Sequence, residues 1–314
     1  MEKGKLLVCC MCAALIGGIS VSCEKGITEE VAQQQTNNNV TIRVSSVEAD
    51  WNASATRALV NVGEVCSRLC FAVYQNGTRI KSKNQEAGDS NFGIFSLNLD
   101  PGDYTVLVLA HSGRANPVTT KPEKILFTNP ESSGGTGFSD TFYYYGKMTV
   151  DEDDTDVDIS MKRATAMFRL VTTDVKPANV KKFQFYYEGG SGALDATTGM
   201  GCVDSKQSVF VLTGDEQTGQ TLSFDMFTIP RTEKAKLNVI VKAFDSKDDI
   251  LYQREFNDVV VQRNSITRYT GKYFVKDSPD KPDIPDESGD PEADPKSMAV
   301  MVDAEWASIM DFDF

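Results

Sequence analysis

Residues 95–110 read FSLNLDPGDYTVLVLA, and this stretch decides the fold class. Its first five residues alternate apolar and polar side chains, which is typical of a β-strand with one buried face. Residues 100–103, DPGD, then predict a turn, because proline presets φ and glycine tolerates the left-handed region. Residues 104–110 carry apolar side chains on both faces, which indicates a central strand of a sandwich.

The same signals recur along the chain on both sides of this stretch. Residues 69–74 form a strand-like run that ends in Gln75-Asn76-Gly77, and the Asn-Gly pair predicts a hairpin. Further on, Phe183, Phe185 and Tyr187 alternate on one face of another run. No segment before residue 296 keeps a helical period over ten residues. Short strands separated by turn signals therefore predict an all-β chain of sandwich domains.

Changes in composition divide the 314 residues into six segments. They are a signal peptide (1–22), a polar lipid tether (23–39), an N-terminal β-sandwich (40–162), a C-terminal β-sandwich (163–276), a Pro/Asp/Glu-rich linker (277–297) and an apolar C-terminal strand tail (298–314). The linker cannot bury enough apolar surface to fold. An apolar tail after such a linker is unusual and predicts a groove that receives it.

The N-terminus predicts export and lipidation. Lys3 and Lys5 precede the uncharged apolar residues 6–19, a run of signal-peptide length that is too short for a comfortable transmembrane helix. The run ends in Ser20-Val21-Ser22-Cys23, which resembles a bacterial lipobox with Ser20 where Leu is usual. We therefore expect lipid on Cys23 to hold the protein in the outer membrane. The alternative is ordinary cleavage nearby, which would release a soluble secreted protein.

Acidic residues follow the lipobox directly. Glu24, Glu29 and Glu30 resemble the surface-export signal of Bacteroidetes lipoproteins, which implies an outward-facing orientation. The whole chain has a net charge of −13. Nucleic-acid binding requires clustered Lys and Arg, so we expect no nucleic-acid partner.

Three cysteines remain after signal cleavage and lipidation, Cys66, Cys70 and Cys202. Cys66 and Cys70 are too far apart for a disulfide if both lie on one straight strand. Either a bridge to Cys202 or buried free thiols is consistent with the sequence. Paired CxxC spacings are absent, so we predict no metal site and no cofactor.

The sequence carries no motif for catalysis. Its single histidine, His111, stands between a strand and the turn Ser112-Gly113, where a solvated side chain is the usual outcome. No nucleophile elbow or zinc-protease motif accompanies it. The glycine clusters at 134–137 and 189–192 lack the Lys-Ser/Thr of a phosphate loop and indicate flexible loops. We therefore predict that the protein is not an enzyme.

A run of tyrosines, residues 143–145, supports two interpretations. Strand alternation favours alternate tyrosines in a core and the rest over a sheet edge. If exposed, the rings could instead stack on sugars. A surface lipoprotein that binds glycans is therefore the alternative function.

The order of several short motifs resembles a known family. Residues 55–58 read ATRA, a Pro-Gly-x-Tyr strand start follows at 101–104, residues 163–169 read RATAMFR, and residues 261–271 read VQRNSITRYTG. Together with the lipobox and tether, they resemble the fimbrillin superfamily of Bacteroidetes, specifically its FimB-like minor or anchor subunits. The resemblance spans nearly the whole chain.

This resemblance implies a fimbrial, or pilus, subunit with two tandem transthyretin-like β-sandwich domains, whose partners are other fimbrial subunits. In polymerising members an arginine-specific protease removes the first strand, and a strand from another subunit fills the groove. Here residues 40–47 would be that strand, and cleavage would fall between Arg57 and Ala58. The apolar residues expected in the donor strand are Val300, Val302, Trp306 and Phe312.

The roles of the two chain ends have alternatives. An extended linker could span roughly 60 Å at about 3.1 Å per residue, enough to reach a neighbouring subunit. Alternatively, the tail packs on its own C-terminal sandwich, and Arg57 is an ordinary loop residue. An anchor subunit would keep lipidated Cys23 and an uncleaved Arg57, whereas a polymerising subunit would lose both.

Overall fold

Strands make up almost all of the regular structure. The computed structural model describes residues 38–48, 61–127, 138–275, 299–301 and 308–314. Within those ranges, helical structure is confined to α1 (Val62–Val65) and a 3-10 turn at Asp215–Gln217. The prediction of an all-β chain of sandwich domains is confirmed.

The N-terminal half contains a seven-stranded sheet. Its strands are β1 (Val40–Glu48), β2 (Arg68–Gln75), β3 (Thr78–Glu86), β4 (Ile94–Leu97), β5 (Gly102–His111), β7 (Thr141–Val150) and β8 (Thr155–Arg163). They lie in the order β3-β2-β5-β7-β8-β1-β4. β7 and β8 pair only through Phe142 with Arg163 and Tyr143 with Lys162. Because this pairing is so short, the sheet can fold over between β7 and β8.

Folding of the sheet encloses the first hydrophobic core. Ile42 of β1, Phe95 of β4 and Ile159 of β8 pack in one cluster with Phe71 of β2 and Val106 of β5. The rings of Phe71 and Phe95 stack with centroids 5.0 Å apart. The predicted turn at 100–103 therefore connects strands in opposite layers, since β4 pairs with β1 while β5 pairs with β2 and β7.

The Asn-Gly signal forms the predicted hairpin. Asn76 and Gly77 have φ angles of 50° and 76°. The flanking residues Gln75 and Thr78 are the last pair of the β2–β3 ladder. Positive φ at both central residues matches the twist of the two strands, which is why this dipeptide favours the turn.

The C-terminal half is a sandwich of two sheets. Its strands are β9 (Ala166–Thr172), β10 (Lys182–Ser191), β13 (Asp204–Leu212), β14 (Ser223–Thr228), β15 (Lys234–Phe244), β16 (Ile250–Gln262), β17 (Ser265–Gly271), β18 (Ala299–Met301) and β19 (Ser308–Asp313). One sheet has the order β13-β10-β15-β16 and the other β14-β9-β17-β19-β18. Phe183, Phe185 and Tyr187 point into the core between them, as their alternation predicts.

The two halves share a third hydrophobic cluster. β6 (Ile125–Leu126) pairs with β11 (Ala193–Asp195), which in turn pairs with β12 (Met200–Gly201). Ile125 and Leu194 pack there with Leu107 and Leu109, which cover the second face of β5. This burial explains the apolar side chains on both faces of residues 104–110. The described residues accordingly form one compact unit.

A buried polar network lies at the junction, around the last residue of β8. The Arg163 guanidinium donates to both carboxylate oxygens of Asp140, at 3.0 and 3.1 Å, and to Oδ1 of Asn264 at 2.6 Å. The Thr165 hydroxyl donates to the same carboxylate at 2.8 Å. Asn264 precedes β17, so these bonds connect the end of the first sandwich to the second.

Candidate assembly site

The first strand, β1, is an internal strand. It pairs in parallel with β8 through eight residue pairs and antiparallel with β4 through four. Val40 and Ile42 are fully buried in the N-terminal core, and Val47 is nearly so. Loss of β1 would therefore expose backbone groups on β8 and β4 together with an apolar groove.

Side-chain hydrogen bonds fix both ends of β1. The Asn39 amide donates to the Leu99 carbonyl at 2.8 Å, and its carbonyl oxygen accepts from the Leu99 N–H at 3.0 Å. At the other end, the hydroxyls of Ser46 and Ser160 lie 2.6 Å apart. These contacts set the register of the strand.

Several predicted site residues lie outside the described ranges. Cys23 belongs to residues 1–37, and Arg57 and Ala58 belong to residues 49–60. Val302 and Trp306 lie in residues 302–307. Lipidation, cleavage and the role of these tail residues remain predictions. So do the signal peptide, most of the tether and the linker.

The last strand, β19, lies in the C-terminal sandwich of its own chain. It pairs in parallel with β17 from Ser265–Ser308 to Thr270–Asp313, and antiparallel with the short strand β18. Val300 is the middle residue of β18. In this structure the tail thus packs on its own C-terminal sandwich, which is the alternative to strand donation.

Aromatic contacts hold the end of the tail against the sandwich. The Phe312 ring stacks on Tyr269, with centroids 4.7 Å apart, and Phe314 meets Phe256 edge-on at 5.1 Å. A Cβ atom at Gly271 would lie 2.0 Å from the Phe314 carbonyl oxygen. The glycine therefore permits this close approach. Sequence reasoning identified Phe312 but neither its partner Tyr269 nor the close approach of Phe314 to Gly271.

An ion pair also connects the tail to β17. Arg268 Nη1 lies 3.3 Å from Asp311 Oδ1, and both side chains are about one-quarter exposed. Partial exposure limits the energy of such a pair. Backbone pairing and aromatic contact, both of which another strand could reproduce, supply most of the tail's attachment.

His111 is buried, so the prediction of a solvated side chain is wrong. It is the last residue of β5, where its Nε2 lies 3.7 Å from Cys70 Sγ and its Nδ1 accepts from the Gly113 N–H. Burial, with a smaller contribution from the positive charge of Arg68, lowers the His111 pKa to about 4. A neutral imidazole with these partners has a structural role.

The three described cysteines are free, with Cys66 and Cys70 buried and Cys202 exposed. Burial raises the pKa of the Cys70 thiol to about 12 and that of Cys66 further. Of the two alternatives, the structure has free thiols, although Cys202 is not buried. Such high pKa values leave the two buried thiols unreactive.

The tyrosine run faces two cores. Tyr143 and Tyr145 belong to the cluster shared by the two halves, while Tyr144 packs against the N-terminal core. These rings therefore form no exposed platform.

Gly189 and Gly190 lie within β10, so the prediction of a flexible loop is wrong for them. The cluster at 134–137 lies outside the described residues.

The described part of the chain lacks two further features. It contains no group of three or more His, Cys, Asp or Glu side chains placed to hold a metal ion. None of its helical segments is long and apolar enough to cross a membrane.

Residues 31–292 match the model of a family of unknown function, DUF6562. No curated protein matches the sequence. Among solved structures, a candidate adhesin from Bacteroides ovatus aligns with TM-score 0.47 and 12% identity, over 86% of this chain and 100% of that one. The fimbrial anchor protein Mfa2 from Porphyromonas gingivalis aligns with TM-score 0.40 and 11% identity, over 68% and 80%. A fimbrial assembly protein from Parabacteroides distasonis aligns with TM-score 0.38 and 13% identity, over 74% and 89%.

Proposed function

We propose that this chain, which belongs to the family of unknown function DUF6562, is a non-enzymatic outer-membrane lipoprotein that serves as a minor or anchor subunit of a surface fimbria. It assembles with other subunits by β-strand addition. The observation that carries the proposal is the position of the two terminal strands, β1 and β19. Each occupies a slot, meaning a place in a sheet that a strand of another chain could fill. The motif order that resembles the FimB-like subunits supports the same role.

The N-terminal slot has the properties of an acceptor groove. β1 lies between two strands and buries Val40, Ile42 and Val47. Without it, two rows of backbone donors and acceptors and an apolar trough would face water. A donated strand would pair with these backbone groups and would also cover the apolar trough.

The C-terminal strand has the properties of a donor. β19 carries Met310 and Phe312 on alternate positions, and Phe314 follows directly after it. The contacts of β19 with β17 are a backbone ladder and the stacked rings of Phe312 and Tyr269. The predicted linker, residues 277–297, precedes it in the chain. Release from β17 would allow this segment to reach a neighbouring subunit.

The order of segments makes lipid anchoring and an open groove mutually exclusive. Cys23 precedes β1, and Arg57 follows it. Cleavage after Arg57 would therefore remove the lipid and the strand together. A subunit that keeps Cys23 lipidated keeps β1 in place, so it can donate its tail but cannot accept a strand at this slot. That combination describes an anchor.

Mass spectrometry of the mature protein from outer-membrane fractions of the native host tests the anchor role. We expect an N-terminus at lipid-modified Cys23 and an intact Arg57-Ala58 bond. A lipid-free N-terminus at Ala58 would instead mean a polymerising subunit. An unlipidated N-terminus elsewhere near residue 23, with no fimbrial material in the fraction, would overturn the proposal.

A further inference from the structure

The outer face of the β13-β10-β15-β16 sheet carries three half-buried aromatic rings. Phe183, Phe185 and Tyr187 of β10 point into the core, so the intervening side chains point away from it. Tyr186 is among these, and its ring lies on the outer side of a central strand. This face is distinct from the slots of β1 and β19, which belong to other sheets.

Two further rings lie on the neighbouring strands, Phe210 opposite Gln184 and Phe244 opposite Lys182. Phe210 of β13 and Phe244 of β15 are half-buried, and their outer surfaces lie along the same face. The Lys182 ammonium lies 5.3 Å from the Phe210 ring centroid and 5.1 Å from that of Phe244. Leu212 is 80% exposed at the end of this row. The sheet therefore presents a band of rings along its length.

Hydrogen-bonding side chains separate the rings. The Gln184 amide donates to the Ser208 hydroxyl at 3.0 Å, between Tyr186 and Lys182 on β10. Lys242 lies directly opposite Gln184 on β15. A band in which rings alternate with amide, hydroxyl and ammonium groups is suited to a ligand with both apolar faces and hydroxyl edges.

A depression of about 480 Å³ lies at the far end of the band, and its lining includes Glu188, Lys206 and Asn238. A register shift between Tyr187 and Gly190 opens the ladder there. Gly189 has φ +99°, and a Cβ at that position would lie 2.3 Å from the Lys236 carbonyl oxygen. A side chain at position 189 would thus clash with the backbone that lines the depression. The bulge and the glycine shape this depression.

Three lysines on the face are paired with carboxylates. Lys206 contacts Glu188 at 2.7 Å, and Lys182 contacts Asp248 at 2.6 Å. Lys236, at the depression, contacts Asp258 at 3.1 Å. Lys242, opposite Gln184, and Glu255, opposite Ile240, add one charge of each sign to these three pairs. The charges named on the face therefore balance, although the chain carries −13. Complementarity favours an uncharged ligand over an acidic or basic one.

The dimensions of the band favour a narrow ligand. Three strands about 4.8 Å apart and eight residues at about 3.3 Å give roughly 350 Å². A stable protein interface needs roughly 800 Å² from each partner. A second copy of the chain or another folded protein would thus bury more than this band offers.

We propose that this face binds a neutral oligosaccharide. Tyr186 stacks on the C–H face of a sugar ring, whose partial positive charge meets the negative face of the aromatic ring. Phe210 and Phe244, over which the Lys182 ammonium lies, line the neighbouring part of the band. Gln184, Ser208 and Lys242 bond the hydroxyls along the edges. The depression beside Glu188 and Asn238 receives one end of the chain or a branch.

Affinity electrophoresis of the full chain through gels containing α-mannan, galactan, β-glucan or polygalacturonate tests this assignment. We expect at least one neutral polysaccharide to retard the protein and polygalacturonate to leave its mobility unchanged. Tyr186→Ala should weaken the retardation about tenfold, because one aromatic stack is lost. Tyr186→Phe keeps the ring and should stay within about twofold of the wild type.

Ile80→Ala, at an exposed apolar position on β3, is the matched control and should bind as the wild type does. Far-ultraviolet circular dichroism would verify that every variant is folded. The proposal is overturned if none of the neutral gels retards the protein, if polygalacturonate alone does, or if Tyr186→Ala binds like the wild type. A change in sedimentation caused by Tyr186→Ala, without a change in retardation, would identify an interface between copies and overturn it too. None of these outcomes bears on fimbrial assembly.

Discussion

Replacing Arg163 with leucine should destabilise the chain strongly, because it leaves a buried carboxylate without its cation. The Arg163 side chain is 8% exposed and that of Asp140 21%. Arg163 also donates to Asn264 and lies over the Phe142 ring, 4.8 Å from its centroid. Removing one partner of a buried pair costs about 3–5 kcal/mol. Since Asp140 retains some access to water, we expect about 3 kcal/mol for Arg163→Leu.

Urea denaturation followed by far-ultraviolet circular dichroism measures this loss. Arg43→Leu is the matched control, because Arg43 contacts Asp156 at 3.1 Å with side chains 41% and 64% exposed. Exposed pairs contribute about 0–1 kcal/mol, so the control should move the midpoint little. If Arg163→Leu costs less than about 1 kcal/mol, or no more than Arg43→Leu, the junction network does not stabilise the fold as described.

Three smaller predictions follow from individual residues. The pKa of His111 falls from 6.5 to about 4 on folding, so its stabilising contribution is complete above pH 6.5 and is lost as the pH falls toward 4. It amounts to about 3 kcal/mol, and His111→Gln should flatten the stability–pH curve in that interval; an unchanged slope would contradict the burial of a neutral imidazole. Iodoacetamide at neutral pH should alkylate Cys202 and spare Cys66 and Cys70 until urea is added, as peptide mass spectrometry would show; early labelling of Cys70 would refute its burial. Gly271→Val should displace the tail by steric overlap with the Phe314 carbonyl, so that a protease cleaves the segment after residue 298 faster than in the wild type, and equal cleavage rates would mean that the contact does not hold the tail.

Sequence reasoning was most successful where local chemistry determines structure. Asn76 and Gly77 predict a hairpin because their backbone conformations suit few other residues, and the structure has that hairpin. The alternation of Phe183, Phe185 and Tyr187 predicts a core face, which is also confirmed. Each signal lies within a few residues and does not depend on distant contacts.

Other features depend on contacts that are distant in the sequence. Nothing near β1 indicates that it pairs with β8, more than a hundred residues later, and nothing in β19 indicates its parallel pairing with β17. His111 looks like a loop residue because its partner Cys70 is 41 residues away. Gly189 and Gly190 suggest a loop because the bulge that requires them arises from pairing between strands.

The aromatic band illustrates a further limit of periodicity. Alternation along β10 separates Tyr186 from the core residues, but it does not indicate whether the outer face is covered by another element. The analogous signal at residues 143–145 indicated exposed rings as one option, yet the rings on both faces there pack against hydrophobic clusters. Burial of a strand's second face depends on the loops and domains that pack against it.

A reversible disulfide across the tail tests strand addition most directly. Thr267 and Met310 are opposite each other in the β17–β19 ladder, a geometry suited to a disulfide. In a Cys202→Ser background, Thr267→Cys with Met310→Cys would lock the tail to its own sandwich when oxidised. Expressed in native-host cells that lack the wild-type copy, the oxidised protein should be absent from sheared fimbriae, and reduction should restore its incorporation. If the oxidised protein enters fimbriae as efficiently as the reduced protein, the tail is not a donor strand and the central claim fails.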